Sequence, residues 1–116
     1  MLIAVVQIPR NGPKPDKAAA IARATDSAPI YRKVQGLVSK QYLNGDDCGG
    51  GIYTFESRAA AEAWFNEDWW GWIEKRFGAR PTLTMYDSYV TVDNAAGEVR
   101  IDGKSVAVND DTEAAE

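Results

Sequence analysis

The sequence predicts an α+β domain in which an antiparallel sheet carries its helices on one face. Three observations lead there. Leu2 to Ile8 is a nearly unbroken apolar run without alternation, as in a strand covered on both faces. Two alanine-rich stretches with helical spacing, one from Ala18 and one from Arg58, each follow a strand-forming run. Between them, Asn44-Gly45-Asp46-Asp47 is a strong turn signal that joins two strands as an antiparallel hairpin. The order is strand, helix, strand, strand, helix, strand: the ferredoxin-like βαββαβ arrangement, with a further hairpin appended at the C-terminal end.

Taken in order, Leu2 to Ile8 belongs in the middle of the sheet, and Asn11-Gly12-Pro13 breaks it. Lys14 to Lys17 leads into Ala18 to Ala24, a segment of high helix propensity. Ser27-Ala28-Pro29 is expected to interrupt that helix, with Ile30 to Val34 continuing as a second short piece. Leu37 to Leu43 alternates, with Leu37, Ser39, Gln41 and Leu43 on one face and Val38, Lys40 and Tyr42 on the other. Its polar content marks it as an edge strand. The partner strand, Cys48 to Phe55, opens with Gly49, Gly50 and Gly51, which predict a bulge or a close backbone approach. A phosphate-binding loop does not fit there, because no Lys-Ser/Thr pair follows and no helix begins.

Glu56-Ser57 turns the chain into a helix running to Phe77, with Ser57 as N-cap and Gly78 just past its end. All four tryptophans, Trp64, Trp69, Trp70 and Trp72, lie in it. At 100° per residue they cannot share one face, so two pack on the sheet and others are left for a cavity or a subunit contact. An alternative is that Asn66 ends a first helical segment and Asp68 caps a second. Thr82 to Val92 reads as one strand with a bulge near Asp87-Ser88, where the apolar parity changes. Asp93 to Gly97 is a turn, and Asp102-Gly103 suits the type I′ turn of a closing hairpin. The organisation is thus one domain over residues 1–108, with a core over 1–94 and a hairpin over 98–108, followed by an acidic tail, 109–116, expected to be disordered.

Composition narrows the function. The chain of 116 residues has 13 basic and 17 acidic side chains, and four of the acids sit in the tail, so the body is near neutral. No basic excess marks a nucleic-acid binder. There is no histidine, which removes His-based nucleophile pairs, a His-ligated haem and the common zinc sites. The lone Cys48 is read as a structural thiol and cannot form an internal disulfide. Arg10 follows the first apolar run where a signal peptide would need charge before it, and no run approaches the ~20 apolar residues of a membrane span. A soluble cytoplasmic protein is the expectation.

Helices on one face only would leave the apolar first strand uncovered on its other side. A second copy packed face to face is the simplest cover. At this point the chain resembles the dimeric α/β-barrel superfamily, in particular the antibiotic-biosynthesis monooxygenases and their YdhR-like relatives. The resemblance is carried by Gly50 to Phe65, by Arg76-Phe77-Gly78 with Pro81, and by the strand from Tyr86 that ends Val-Asp-Asn at Asn94. It implies a homodimer with a pocket between the sheet and helices of each subunit. It also implies oxidation of an electron-rich aromatic, a phenol or anthrone, by dioxygen without metal or flavin. Such a substrate, once deprotonated, can pass an electron to oxygen itself, so the protein need only favour deprotonation, orient the ring and exclude water.

That branch has an Asn followed four residues later by a Trp on the second helix, and here Asn66 and Trp70 stand in that relation. The resemblance makes them the catalytic pair, with Asn66 bonding the substrate oxygen and Trp70 a ring platform. The family's further Tyr and Arg find no residue at matching spacing. Tyr53, on the same strand face as Phe55, is read as lining the substrate pocket, together with Trp64, Trp72, Tyr86 and Arg80. No metal is expected, since Asp46-Asp47 at a hairpin tip is solvated charge, and no cofactor is expected. The alternatives are a non-catalytic small-molecule-binding dimer of the same fold, or an oxygen-independent isomerase or lyase.

Overall fold

The N-terminal apolar run forms β1 (Leu2–Pro9), and in the computed structural model, which describes residues 1–107, it lies between two antiparallel partners. These are β3 (Cys48–Phe55) and β4 (Thr82–Asp87), and β2 (Leu37–Asn44) pairs with β3 at the edge, giving the order β2-β3-β1-β4. The chain is therefore α+β with a four-stranded antiparallel sheet, and its strand order is compatible with a ferredoxin-like fold. Val108 and the tail expected to be disordered, 109–116, lie outside the described residues.

Register decides which side chains share a face. Leu2 pairs with Phe55 and Asp87, Ala4 with Tyr53 and Met85, and Val6 with Gly51 and Leu83. Leu2, Ala4, Val6 and Ile8 are buried against the helices with Tyr53 and Phe55, and each large apolar side chain so buried contributes about 1.5–3 kcal/mol. On the opposite face Ile3, Val5 and Ile52 are half-buried, while Gln7, Gln41 and Tyr86 are exposed. In β2 the register slips between Leu37 and Ser39, which leaves Val38 as an extra residue. Leu37 therefore packs on the core side with Lys40 and Tyr42 rather than with Ser39. The glycine run is a close backbone approach, as expected: a Cβ on Gly50 would stand 1.9 Å from the Val6 carbonyl oxygen.

Helix α1 (Lys17–Tyr31) is longer than expected. Asp16 caps it by accepting the Ala19 N–H at 2.9 Å. Pro29 does not break it, because the proline sits in the last turn, where it forfeits one hydrogen bond, and Tyr31 beyond it is anchored in the core. The chain from Ser57 to Gly78 is correspondingly two helices, α2 (Arg58–Trp64) and α3 (Glu67–Phe77). Ser57 caps α2, and Gly78 ends α3 in the left-handed conformation, φ 68°, as predicted. The break falls at Phe65-Asn66, and the second cap is Asn66 rather than Asp68. Interrupting the helix there lets Phe65 and Trp69 both enter the core with ring centroids 4.7 Å apart.

The other departure is at Asp87. Thr82 to Val92 is not one bulged strand: β4 ends at Asp87, Ser88 donates its N–H to the Met1 carbonyl, and the chain turns away. Here β5 (Val90–Asp93) pairs with β6 (Glu98–Ile101), which pairs with β7 (Lys104–Val106), forming a separate three-stranded sheet. The core sheet thus stops at residue 87, not 94, and the change of apolar parity marks a corner. Asp102 and Gly103 both have positive φ, 48° and 80°, as a type I′ turn requires. Arg100 of β6 ties that strand to β5 through Asp93 and also pairs with Glu98 of its own strand.

Candidate functional site: a cationic aromatic cleft

A cleft of about 660 Å³ opens between α1, α3 and the three strands β1, β2 and β3 of the sheet. Local sequence shapes it. Gly51 has no Cβ, and one built there would meet Lys40 Cε at 3.0 Å and Tyr53 Cε1 at 3.3 Å, so the glycine clears the floor for both side chains. Arg10 donates to the Gly45 carbonyl and to Asn44 Oδ1, while Asn44 Nδ2 donates to the Pro15 carbonyl at 3.0 Å. These bonds pin the β2–β3 turn to the start of α1 and fix one end of the cleft.

Lys40 lines the cleft from β2. Its Nζ lies 3.3 Å from the ring centroid of Tyr31, 3.9 Å from that of Tyr42 and 4.8 Å from that of Tyr53. No carboxylate pairs with it among the described residues. Burial and, after it, repulsion from the Arg76 guanidinium lower its pKa from 10.5 to about 7. The ring faces pull the other way by about 1 kcal/mol or less each, which makes an ammonium tolerable there without a counter-ion.

The tyrosines form a connected group. Tyr53 donates a long hydrogen bond, 3.4 Å, to the Tyr31 hydroxyl, and Tyr42 shares a 2.8 Å hydrogen bond with Ser27. Burial raises the pKa of Tyr31 and, more strongly, that of Tyr53, so both remain neutral donors. Trp72 and Ile73 of α3 supply apolar wall, and Arg23 and Arg76 line the cleft from the two helices.

Of the residues singled out from sequence, Tyr53 and Trp72 line this cleft. Trp64 instead lines a shallower apolar recess beside Pro29, Val34 and Ala60. Tyr86 is 54% exposed and pairs with Ile3 on the face away from the helices. Arg80 is exposed, bonds Glu74 and stacks 4.5 Å from the Trp70 ring. Asn66 is exposed, and both ends of its amide are used in capping: Oδ1 accepts the Trp69 N–H and Nδ2 donates to the Ala63 carbonyl, each at 3.0 Å. Asn66 and Trp70 are not brought to the cleft. Sequence reasoning passed over Lys40, Tyr31 and Tyr42. The alternation that put Lys40 and Tyr42 on one strand face was a signal for two of them, but which face was covered was not visible.

Among the described residues no three His, Cys, Asp or Glu side chains converge as a metal-ligand set, and no helix is long and apolar enough to cross a membrane. No protein-family model matches the chain, and no curated protein matches it.

Proposed function

We propose that this protein is a cofactor-independent monooxygenase that oxidises an electron-rich aromatic small molecule, of the phenol or anthrone kind, in the cleft between sheet and helices. The observation that carries it is Lys40, an amine with a pKa of about 7 enclosed by three tyrosine rings. Such an amine can take a proton at neutral pH and, once protonated, stand beside the oxyanion it has created. An anthrone would give its methylene proton to Lys40. The carbanion passes an electron to dioxygen, the radical pair combines to a peroxide, and loss of water leaves the quinone. Lys40 returns its proton to the peroxide and then takes the second hydrogen of the same carbon as the O–O bond breaks; one oxygen stays as the new carbonyl and the other departs as hydroxide, which that proton converts to water. Tyr53, held neutral, donates to Tyr31, which leaves the Tyr31 O–H to donate to the substrate oxygen, and Trp72 walls the ring.

A homodimer belongs to the same proposal. Ile3, Val5 and Ile52 on the open sheet face, with exposed Tyr86 beside them, offer a surface for a second copy. The proposal includes neither a nucleic-acid nor a membrane partner, and a cytoplasmic location.

The alternative is a non-catalytic binding protein of the same fold, and one observation favours it: the amide of Asn66 is consumed in capping, away from the cleft. An isomerase or lyase would use Lys40 to move a proton without oxygen. Oxygen-electrode traces of the purified protein with anthrones, naphthols and quinols, corrected for spontaneous oxidation, separate the three. Protein-dependent uptake that is lost in Lys40→Met supports the monooxygenase. Ligand quenching of tryptophan fluorescence without uptake indicates the binding protein, and product formation without uptake indicates the isomerase or lyase. Asn66→Ser keeps a capping oxygen, so loss of uptake at an unchanged melting temperature would restore the role that the family resemblance gives Asn66.

A further inference from the structure

The cleft holds cations without anions. Arg10, Arg23, Lys40 and Arg76 line it, and no Asp or Glu does, although the chain as a whole carries −4. None of the four has a carboxylate within ion-pair distance among the described residues. Asp46 pairs with Lys14 at 3.2 Å and Glu74 with Arg80 at 2.6 Å. Arg10 spends its guanidinium on neutral acceptors of the hairpin. Lys40 on β2 and Arg76 on α3 face the same space closely enough for Arg76 to repel the Lys40 ammonium. Two like charges held together in a half-buried site raise each other's energy, and an anion between them relieves it.

From this arrangement we infer that the natural ligand of the cleft is an aromatic carboxylic acid, whose ring lies against Tyr31, Tyr42 and Trp72 and whose carboxylate bridges Lys40 and Arg76. The inference rests on the proposal that the cleft is the ligand site; a carboxylate seated on Lys40 holds it as an ammonium, so with this ligand Lys40 binds charge rather than taking a proton, as in the binding-protein alternative. Its volume is in the range of small-molecule pockets. The ring walls select a flat molecule, and the ammonium and guanidinium both donate to a carboxylate. Occupancy stabilises the charged form of Lys40, so above about pH 7, where the free amine has lost its proton, binding takes one up, and affinity weakens as pH rises. The charged and titratable groups facing Lys40 are Tyr31 of α1, Tyr53 of β3, Tyr42 of its own strand and Arg76 of α3, with Arg10 and Arg23 further along the lining. Tyr31 and Tyr53 are held above the ordinary tyrosine range.

The test is binding under argon, by tryptophan fluorescence, of 2-naphthoate, its neutral counterpart 2-naphthylmethanol, 2-naphthol and 2-naphthyl phosphate. At about pH 6, 2-naphthoate should bind about tenfold or more tighter than 2-naphthylmethanol, the value of one charge-assisted hydrogen bond. The advantage should shrink several-fold by about pH 9, as Lys40 loses its proton. Lys40→Met and Arg76→Gln should each reduce the ratio of 2-naphthoate to 2-naphthylmethanol affinity, and that ratio is the readout whatever either change does to the alcohol; Arg76 is exposed, so its variant keeps the fold. Equal binding of the acid and the alcohol, or an undiminished preference in both variants, overturns the inference. So does 2-naphthyl phosphate binding well ahead of the carboxylate, which would make the class phosphate esters. Because no turnover is required, failure of oxygen uptake leaves this result standing. Uptake with 2-naphthol alongside indifference to the carboxylate would sink this inference and spare the monooxygenase.

Discussion

Replacing Lys40 by methionine should make the protein more stable at neutral and acid pH. In the folded state the lysine pKa falls from 10.5 to about 7, first by burial and then by Arg76. The unfolded chain keeps that proton until about pH 10. Between the two values the unfolded state binds more protons than the folded one, so stability rises with pH across that window, and the full penalty is carried below it. A fall of this size sets a ceiling of about 5 kcal/mol on the penalty. Part of the side chain meets solvent and the three ring faces favour the ammonium, so about 2–3 kcal/mol is the expected figure. Methionine preserves the length and flexibility of the apolar stem, so the change removes the charge with little loss of packing. Urea unfolding of both proteins between about pH 6 and 9.5 reads the effect. The upper limit matters because Tyr31 and Tyr53 act in the opposite sense: the unfolded tyrosines ionise near pH 10 while the buried ones do not, and stability falls there. The wild type should gain stability from pH 7 upwards, and Lys40→Met should start higher and stay flat. Parallel curves, or a less stable methionine variant at pH 6, would show that the rings more than offset burial, and Lys40 would lose its claim to be a base.

Removing the cap in Asn66→Ala should cost about 1–2 kcal/mol by thermal unfolding, whereas Asn66→Asp should change little, since it keeps the accepting oxygen and adds charge that suits a helix N-terminus. Two glycines should respond in opposite ways: Gly50→Ala places a Cβ 1.9 Å from the Val6 carbonyl at φ 139° and should prevent folding, while Gly71→Ala, with nothing within 4 Å, should stabilise α3 by about 0.5–1 kcal/mol. Tyr86→Asp, on the open sheet face, should yield a monomer by light scattering if a second copy covers that face, and an unchanged mass would refute that placement.

The sequence by itself determined the local architecture, because its signals are local. The apolar run of β1, the Asn44 to Asp47 turn, the Ser57 cap, the αL glycine at Gly78 and the Asp102-Gly103 turn each act through their own backbone or nearest neighbours, and each stands where its chemistry demands. Where a local signal was outweighed, the cause lay at a distance. Pro29 stays inside α1 because Tyr31 is held by the core, and the helix after Ser57 breaks so that Phe65 and Trp69 can both be buried. The site was decided almost wholly by tertiary structure. Lys40 reads as an ordinary lysine on an edge strand until the register with β3 sets it over Gly51 and α1 brings Tyr31 across it. Its lowered pKa comes from exclusion of water and from Arg76, 36 residues further along the chain. Desolvation and the mutual field of distant charges depend on through-space distance and enclosure, which exist only once the sheet and helices have closed around them.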